Sequence, residues 1–265
     1  MRKKTRLILA TISAAFAAAP ALAHTSYMMP TRFSANTEGM VTVESGFAED
    51  LFIPDVAVNN ADFHVLKPDG TRADFDTVSV HRQLVIMETQ LPDEGTYRFS
   101  TGVRHGRRST LAMVDGEWVS TRRTGGKVPE NATETKIRET ETVADAYLTK
   151  KGPTRAPVDK QIGRLVLQPI THPSDAFLED PFEFQMLFDG KPLAGHTMNI
   201  DRGGERYGAE KLHQELDTDA DGKVTVNFEK PGIYMIWTRL TADAPEGADV
   251  DERGYTTSLI IEVQG

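Results

Sequence analysis

The residues best suited to chemistry begin at His24, which directly follows the small-residue triplet Ala21-Leu22-Ala23. Residues 1–23 have the layout of an export signal. Arg2, Lys3, Lys4 and Arg6 form a basic start, and Leu7 to Ala18 is apolar and small with no acidic residue. Cleavage after Ala23 frees an α-amine on a histidine. That amine and the imidazole Nδ1 of the same residue can chelate one ion together, which an internal histidine cannot do. Copper and nickel favour such nitrogen sets in square-planar or tetragonal geometry. The alternative is that His24 only happens to follow a good cleavage site.

Other candidate ligands are scattered. The remaining histidines are His64, His81, His105, His172, His196 and His213, and none stands in an H-x-x-x-H or H-E-x-x-H arrangement. A metal site would therefore be assembled from separate strands and loops. His64 is the first candidate to join His24, because it alternates with Phe63 and Val65 and points away from their face. His172, before Pro173, and His105, among Arg104, Arg107 and Arg108, follow it. Each has an ordinary reading as a surface or capping histidine. Met28 and Met29 are soft donors that read more simply as core residues. Asp217-Thr218-Asp219-Ala220-Asp221-Gly222 matches the first half of a calcium loop, but position twelve is Phe228, so a hairpin turn is the plainer expectation. Nothing resembles a nucleophile elbow, a phosphate loop or a dinucleotide fingerprint.

The elements that must position these residues read as strands. Met40 to Ser45 alternates with period two. Phe63 to Leu66 runs into Lys67-Pro68-Asp69-Gly70, Val78 to Glu88 is β-rich, and Thr96 to Ser100 follows a Pro-Asp-Glu-Gly turn. Leu165 to Pro169, Pro181 to Phe188, Thr197 to Asp201, Lys223 to Phe228, Gly232 to Leu240 and Tyr255 to Val263 form a second set. Helix is scarce, with one turn or two over Ala209 to Leu216. The sequence predicts an all-β protein of two Ig-like or transthyretin-like β-sandwich domains, residues 24–120 and 161–265. A long polar connector over 121–160 joins them, ordered only near Val143 to Leu148. Leu91-Pro92-Asp93-Glu94-Gly95-Thr96-Tyr97 parallels Phe228-Glu229-Lys230-Pro231-Gly232-Ile233-Tyr234, a sign that the halves are related.

Composition narrows the partners. There is no cysteine, so no disulfide and no thiolate chemistry. All 39 acidic residues fall after position 23, against 26 of the 30 basic ones, a net charge of −13 for that part. Nucleic acid and anionic membrane surfaces are poor partners for such a chain. No stretch approaches the ~20 apolar residues of a membrane span. The expectation is a periplasmic protein.

The chain resembles a bacterial periplasmic domain-of-unknown-function family related to NikM-like components of nickel and cobalt uptake systems. The resemblance rests on Ala23-His24 with Tyr27 and Pro30, Glu49 to Asp55, Asp62-Phe63-His64, Pro169 to Pro173, Leu187 to Gly195, Thr218 to Gly222 and Arg253 to Thr256. It implies a binder or uptake accessory for a transition metal (nickel, cobalt or copper), working beside a metal-uptake transporter or an outer-membrane receptor, and no enzyme. A metal-free Ig-like envelope adaptor or ligand-binding module remains the alternative. An oxidative copper enzyme with a histidine brace is a third.

Overall fold

The computed structural model describes residues 24–37, 39–204, 208 and 212–265. The proposed signal, residues 1–23, lies outside them, as do residues 209–211 of the expected short helix. That expectation fails where it can be read, since His213–Asp217 is a strand.

Three sheets form the protein. A five-stranded sheet contains Thr25–Pro30, Met40–Ala48, Val85–Gln90 and Thr77–Val80 in that order, with Pro54–Ala57 also paired to Met40–Ala48. The β-rich stretch from Val78 is thus a hairpin, closed where the His81 N–H donates to the Leu84 carbonyl. A four-stranded sheet holds Leu165–Pro169, Phe182–Phe188, Lys191–Pro192 and Lys223–Val226. Between them runs an eleven-stranded sheet that belongs to both halves of the chain. The helical pieces among the described residues are Ala156–Asp159 and two short 3-10 turns.

The continuity of the middle sheet comes from the segment that reads as a connector. Glu134–Lys150 is a strand of 17 residues. It pairs antiparallel with Gly95–Ser100 and with Arg104–Val114 on one side. On the other it pairs parallel with Glu252–Val263, in register from Arg138↔Glu252 to Ala146↔Ile260. Its first half looks like loop because it is charged, but those charges are cross-strand partners. Glu139 accepts from Arg108 at 2.8 Å and from Arg253 at 3.2 Å, and Glu141 accepts from Arg253 at 3.3 Å. Lys136 and Arg138 both bind Glu252. Opposite charges on facing positions support a sheet much as apolar pairs do.

Alternation along the shared strands divides the core in two, because successive side chains point to opposite faces. Ala144, Ala146 and Leu148, with Met235 and Ile260, join Tyr27, Met28, Val43, Met87, Tyr97 and Phe99 under the five-stranded sheet. Their neighbours Tyr147, Ile236, Leu259 and Ile261 join Phe182, Phe184, Met186 and Val226 under the four-stranded sheet. The two cores therefore lie on opposite faces of one sheet. Each half also carries the same corner. Tyr97 donates to the Asp93 carbonyl at 2.9 Å and Tyr234 to the Lys230 carbonyl at 2.7 Å, each reaching four residues back, as in the tyrosine corner of β-sandwiches.

A shared sheet makes the halves one cooperative unit. Urea unfolding followed by far-UV circular dichroism and by tryptophan fluorescence is expected to give one coincident transition. Ile260→Ala, in the C-terminal half but packed in the N-terminal core, is expected to lower its stability by about 2–5 kcal/mol. Two separated transitions would show that the halves unfold independently.

Candidate functional site

The exposed end of the five-stranded sheet begins at His24. The strand after it is locked on every side. Thr25 to Met28 are all buried. The Tyr27 carbonyl accepts from Ser45 Oγ at 2.8 Å, and the Ser26 carbonyl accepts from Ser258 Oγ at 2.6 Å. Arg239 Nη2 donates to Thr25 Oγ1 at 2.8 Å, its guanidinium stacked 4.7 Å from the Trp237 ring centre. The buried Tyr27 hydroxyl donates to Glu44 at 3.0 Å, and burial followed by that carboxylate's charge raises the phenol's pKa well above the usual tyrosine value. The boundary between buried and exposed chain thus falls between Thr25 and His24.

His24 itself is about half exposed, and its Nε2 lies 3.2 Å from Asp55 Oδ2. Asp55 owes its position to a backbone irregularity. Phe47 pairs with Val56 and Ala48 with Pro54, which leaves Asp55 as the extra residue of a bulge. Bulges of this kind re-aim a side chain. The same carboxylate oxygen accepts from the Glu49 N–H at 3.1 Å, which fixes its direction. Above it Phe52, held at φ 62°, stacks edge-on against Tyr27 at 5.8 Å. Gly203 permits this, because a Cβ there would meet the Phe52 ring at 2.4 Å. Asp55 is the residue that sequence reasoning passed over. Its one signal was its place in the segment Glu49 to Asp55 that carries part of the family resemblance.

The other three candidates are dispersed. His64 is buried at 5% exposure in the middle sheet, and its Nδ1 donates to the Asp62 carbonyl at 2.7 Å. Burial holds it below an ordinary imidazole. His105 is exposed, with Nδ1 2.9 Å from Glu139 inside the cross-strand ion-pair set. His172 uses both ring nitrogens. Nδ1 accepts from the Ser174 N–H at 3.1 Å, so Nε2 carries the proton and faces the Thr154 carbonyl at 3.2 Å and Thr96 Oγ1 at 3.1 Å. It is a strut between the halves, with no lone pair to spare. Among the described residues no group of three or more His, Asp or Glu side chains converges on a point that could hold a metal. A chelate made by a main-chain amine and its own imidazole needs no such convergence.

The calcium-like loop is a turn. Asp219 Oδ1 accepts from the Asp221 and Lys223 N–H groups at 2.9 and 2.8 Å, and Asp217 accepts from Thr197. Met28 is fully buried and Met29 packs on the same core.

An all-β protein of three stacked sheets, with an exposed histidine heading a buried strand, is the class that these features define. Residues 21–242 match the model of DUF4198, a domain of unknown function, and the chain belongs to that family. No curated protein matches it. Among solved structures the chain is similar to the D0-D1 domain of intimin, at 11% identity and a TM-score of 0.24, covering 90% of this chain and 97% of that one. It is also similar to trypsin-activated alpha-2-macroglobulin from Escherichia coli, at 12% identity and a TM-score of 0.24, covering 91% of this chain and 16% of that one.

Burial lowers the pKa of His64, His172 and His196 below the ordinary 6.5. The unfolded chain then binds more protons as pH falls. The stability these residues support is fully present above about pH 6.5 and is lost as pH drops through their folded values. His213 works in the opposite direction. Burial opposes its charge, but Asp201 at 2.6 Å and Glu215 raise its pKa, so its contribution is present below about pH 6.5 and fades above. With three histidines against His213 and Glu44, whose pKa burial raises, stability measured by urea is expected to fall between about pH 7.5 and about pH 5.5. His172→Gln is expected to flatten that slope. An unchanged slope would assign the acid loss to other groups.

Proposed function

We propose that this protein is a periplasmic transition-metal binding or uptake accessory protein that holds nickel, cobalt or copper through the processed N-terminal His24. The observation that carries the reading is the His24–Asp55 pair. A histidine that ligates a metal through one ring nitrogen commonly donates its other N–H to a carboxylate, which fixes the tautomer and the ring's direction. Nε2 faces Asp55, so Nδ1 keeps the lone pair, and Nδ1 is the nitrogen that can close a chelate ring with the α-amine. The exposed contact adds little stability by itself. Its value lies in orientation. The locked strand from Thr25 onward gives the amine a fixed point of departure. A family relation to NikM-like components, and a partner in a metal-uptake transporter or outer-membrane receptor, belong to the same proposal.

A second reading, a metal-free envelope adaptor, draws on one feature. Thr77–Val80 is an exposed edge strand carrying Val78 and Val80, at 49% and 59% exposure. Unpaired edges of this kind accept an added strand.

Calorimetric titration of the mature chain with Cu²⁺, Ni²⁺ and Co²⁺ separates the two. One-to-one binding is expected, abolished by one extra residue before His24 and weakened roughly 10–100-fold by Asp55→Asn. Protons compete for both nitrogens, so affinity is expected to fall as pH is lowered. Binding that survives the added residue, or no binding at all, would overturn the proposal.

A further inference from the structure

On the face of the middle sheet opposite the five-stranded sheet lies a cleft of about 330 Å³, within the size range of small-molecule sites. His64 and Leu66 form its floor. Asp62, Arg72, Val103, Lys160 and Ile162 also line it. No feature of the His24 site reaches it.

The floor is built to offer an acceptor. The Asp62 carbonyl takes the His64 Nδ1–H, so Nε2 must be the bare nitrogen. Among the described residues no protein donor binds Nε2. The arrangement is held from behind by Gly102. Its φ is +61°, and a Cβ there would come within 2.8 Å of the Asp62 carbonyl oxygen that orients the ring. The wall offers positive charge. Asp62 grips Arg72 through both terminal nitrogens, at 2.9 and 2.5 Å, which fixes the guanidinium and leaves it further N–H donors. Lys160 Nζ has only a long contact to the Gly70 carbonyl, at 3.4 Å. Leu66, Val103 and Ile162 supply an apolar lining between the polar ends.

We infer that this cleft binds a small hydroxycarboxylic acid with a short hydrocarbon branch. The ligand's hydroxyl donates to His64 Nε2, its carboxylate meets Arg72 and Lys160, and the branch rests on Leu66, Val103 and Ile162. An amino acid fits less well. Its ammonium would lie near Lys160, which among the described residues has no carboxylate partner, while Asp62 and Arg72 already neutralise each other.

The test is a titration of the metal-stripped full mature chain, read at the His64 imidazole ¹⁵N resonances, and it is independent of His24. The probes are 2-hydroxyisocaproate, isocaproate (which lacks the hydroxyl) and 2-hydroxyisocaproamide (which lacks the charge). The hydroxy acid is expected to give a saturable shift, with at least tenfold weaker binding for each of the other two. Binding of the hydroxy acid, followed by calorimetry, is expected to be lost in His64→Phe and weakened in Lys160→Ala. Lys160 is exposed, so that variant serves even where the first fails to fold. No saturable shift, equal binding of the three probes, or wild-type binding by Lys160→Ala would overturn the inference.

Discussion

The parallel pairing of Arg138–Ala146 with Glu252–Ile260 is the constraint on which the rest of the molecule depends. Two sandwiches linked by a flexible tether would each need two sheets of their own. Here each half supplies one outer sheet and shares the middle one. A parallel pair closes this arrangement because the last strand of each half runs the same way, flanked on its far side by the strand that follows a tyrosine corner. The residues facing one way along these strands then serve the N-terminal core, and those facing the other way serve the C-terminal core. A one-residue slip would exchange the two sets, turning Ala146 and Ile260 out of their core and Asp145 into it. The ion pairs of Glu139, Glu141 and Glu252 help to hold the register, since a slip would also separate them from their partners.

The same shared sheet fixes the strand that follows His24. Thr25–Pro30 pairs with Met40–Ala48 on its edge and meets the middle sheet through Ser258 and Arg239. A strand held by two sheets has little freedom, and what it carries at its exposed end is held in direction as well as in place. His24 benefits because the bulge at Asp55 lies beside the last paired residues of the neighbouring strand. Such preorganisation matters more for a small chelate than net charge does, since the acidity of the chain raises cation concentration around the whole surface without choosing a point on it.

Much of the fold was legible in the sequence, and the exception is instructive. Strands with one apolar face, such as Met40–Ala48 and Phe182–Phe188, announced themselves by alternation. Glu134–Lys150 did not. Its first half is stabilised by charges on other strands, and cross-strand pairing leaves no local period. The site was legible in proportion to how local its chemistry is. His24 stood out as a candidate because the proposed chelation by a terminal histidine would need only one residue. Asp55 did not, because a bulge is a backbone event decided by the pairing of two strands. His64 was readable as facing away from Val65, yet that face is covered by Pro157 to Ile162 and is no open surface. His172 read as a loop histidine, and tertiary contacts to Thr96 and Thr154 made it a strut.

The two candidate sites sit on opposite sides of the middle sheet, and this bears on whether they communicate. His64 and Val65 are neighbours in one strand. Val65 packs in the core that also holds Tyr27 and Met28, and His64 looks out the other way into the cleft. Coupling between sites requires an element with two arrangements that both ligands bias. The strands between them are tightly paired and fully packed, which favours a single arrangement. The cover of the cleft, Lys160 to Ile162, belongs to the crossing between the halves and is tied to the middle sheet where buried Arg98 donates to the Lys160 carbonyl. Ligand-dependent movement is therefore expected to stay on the cleft side, leaving the His24 end of the molecule unchanged.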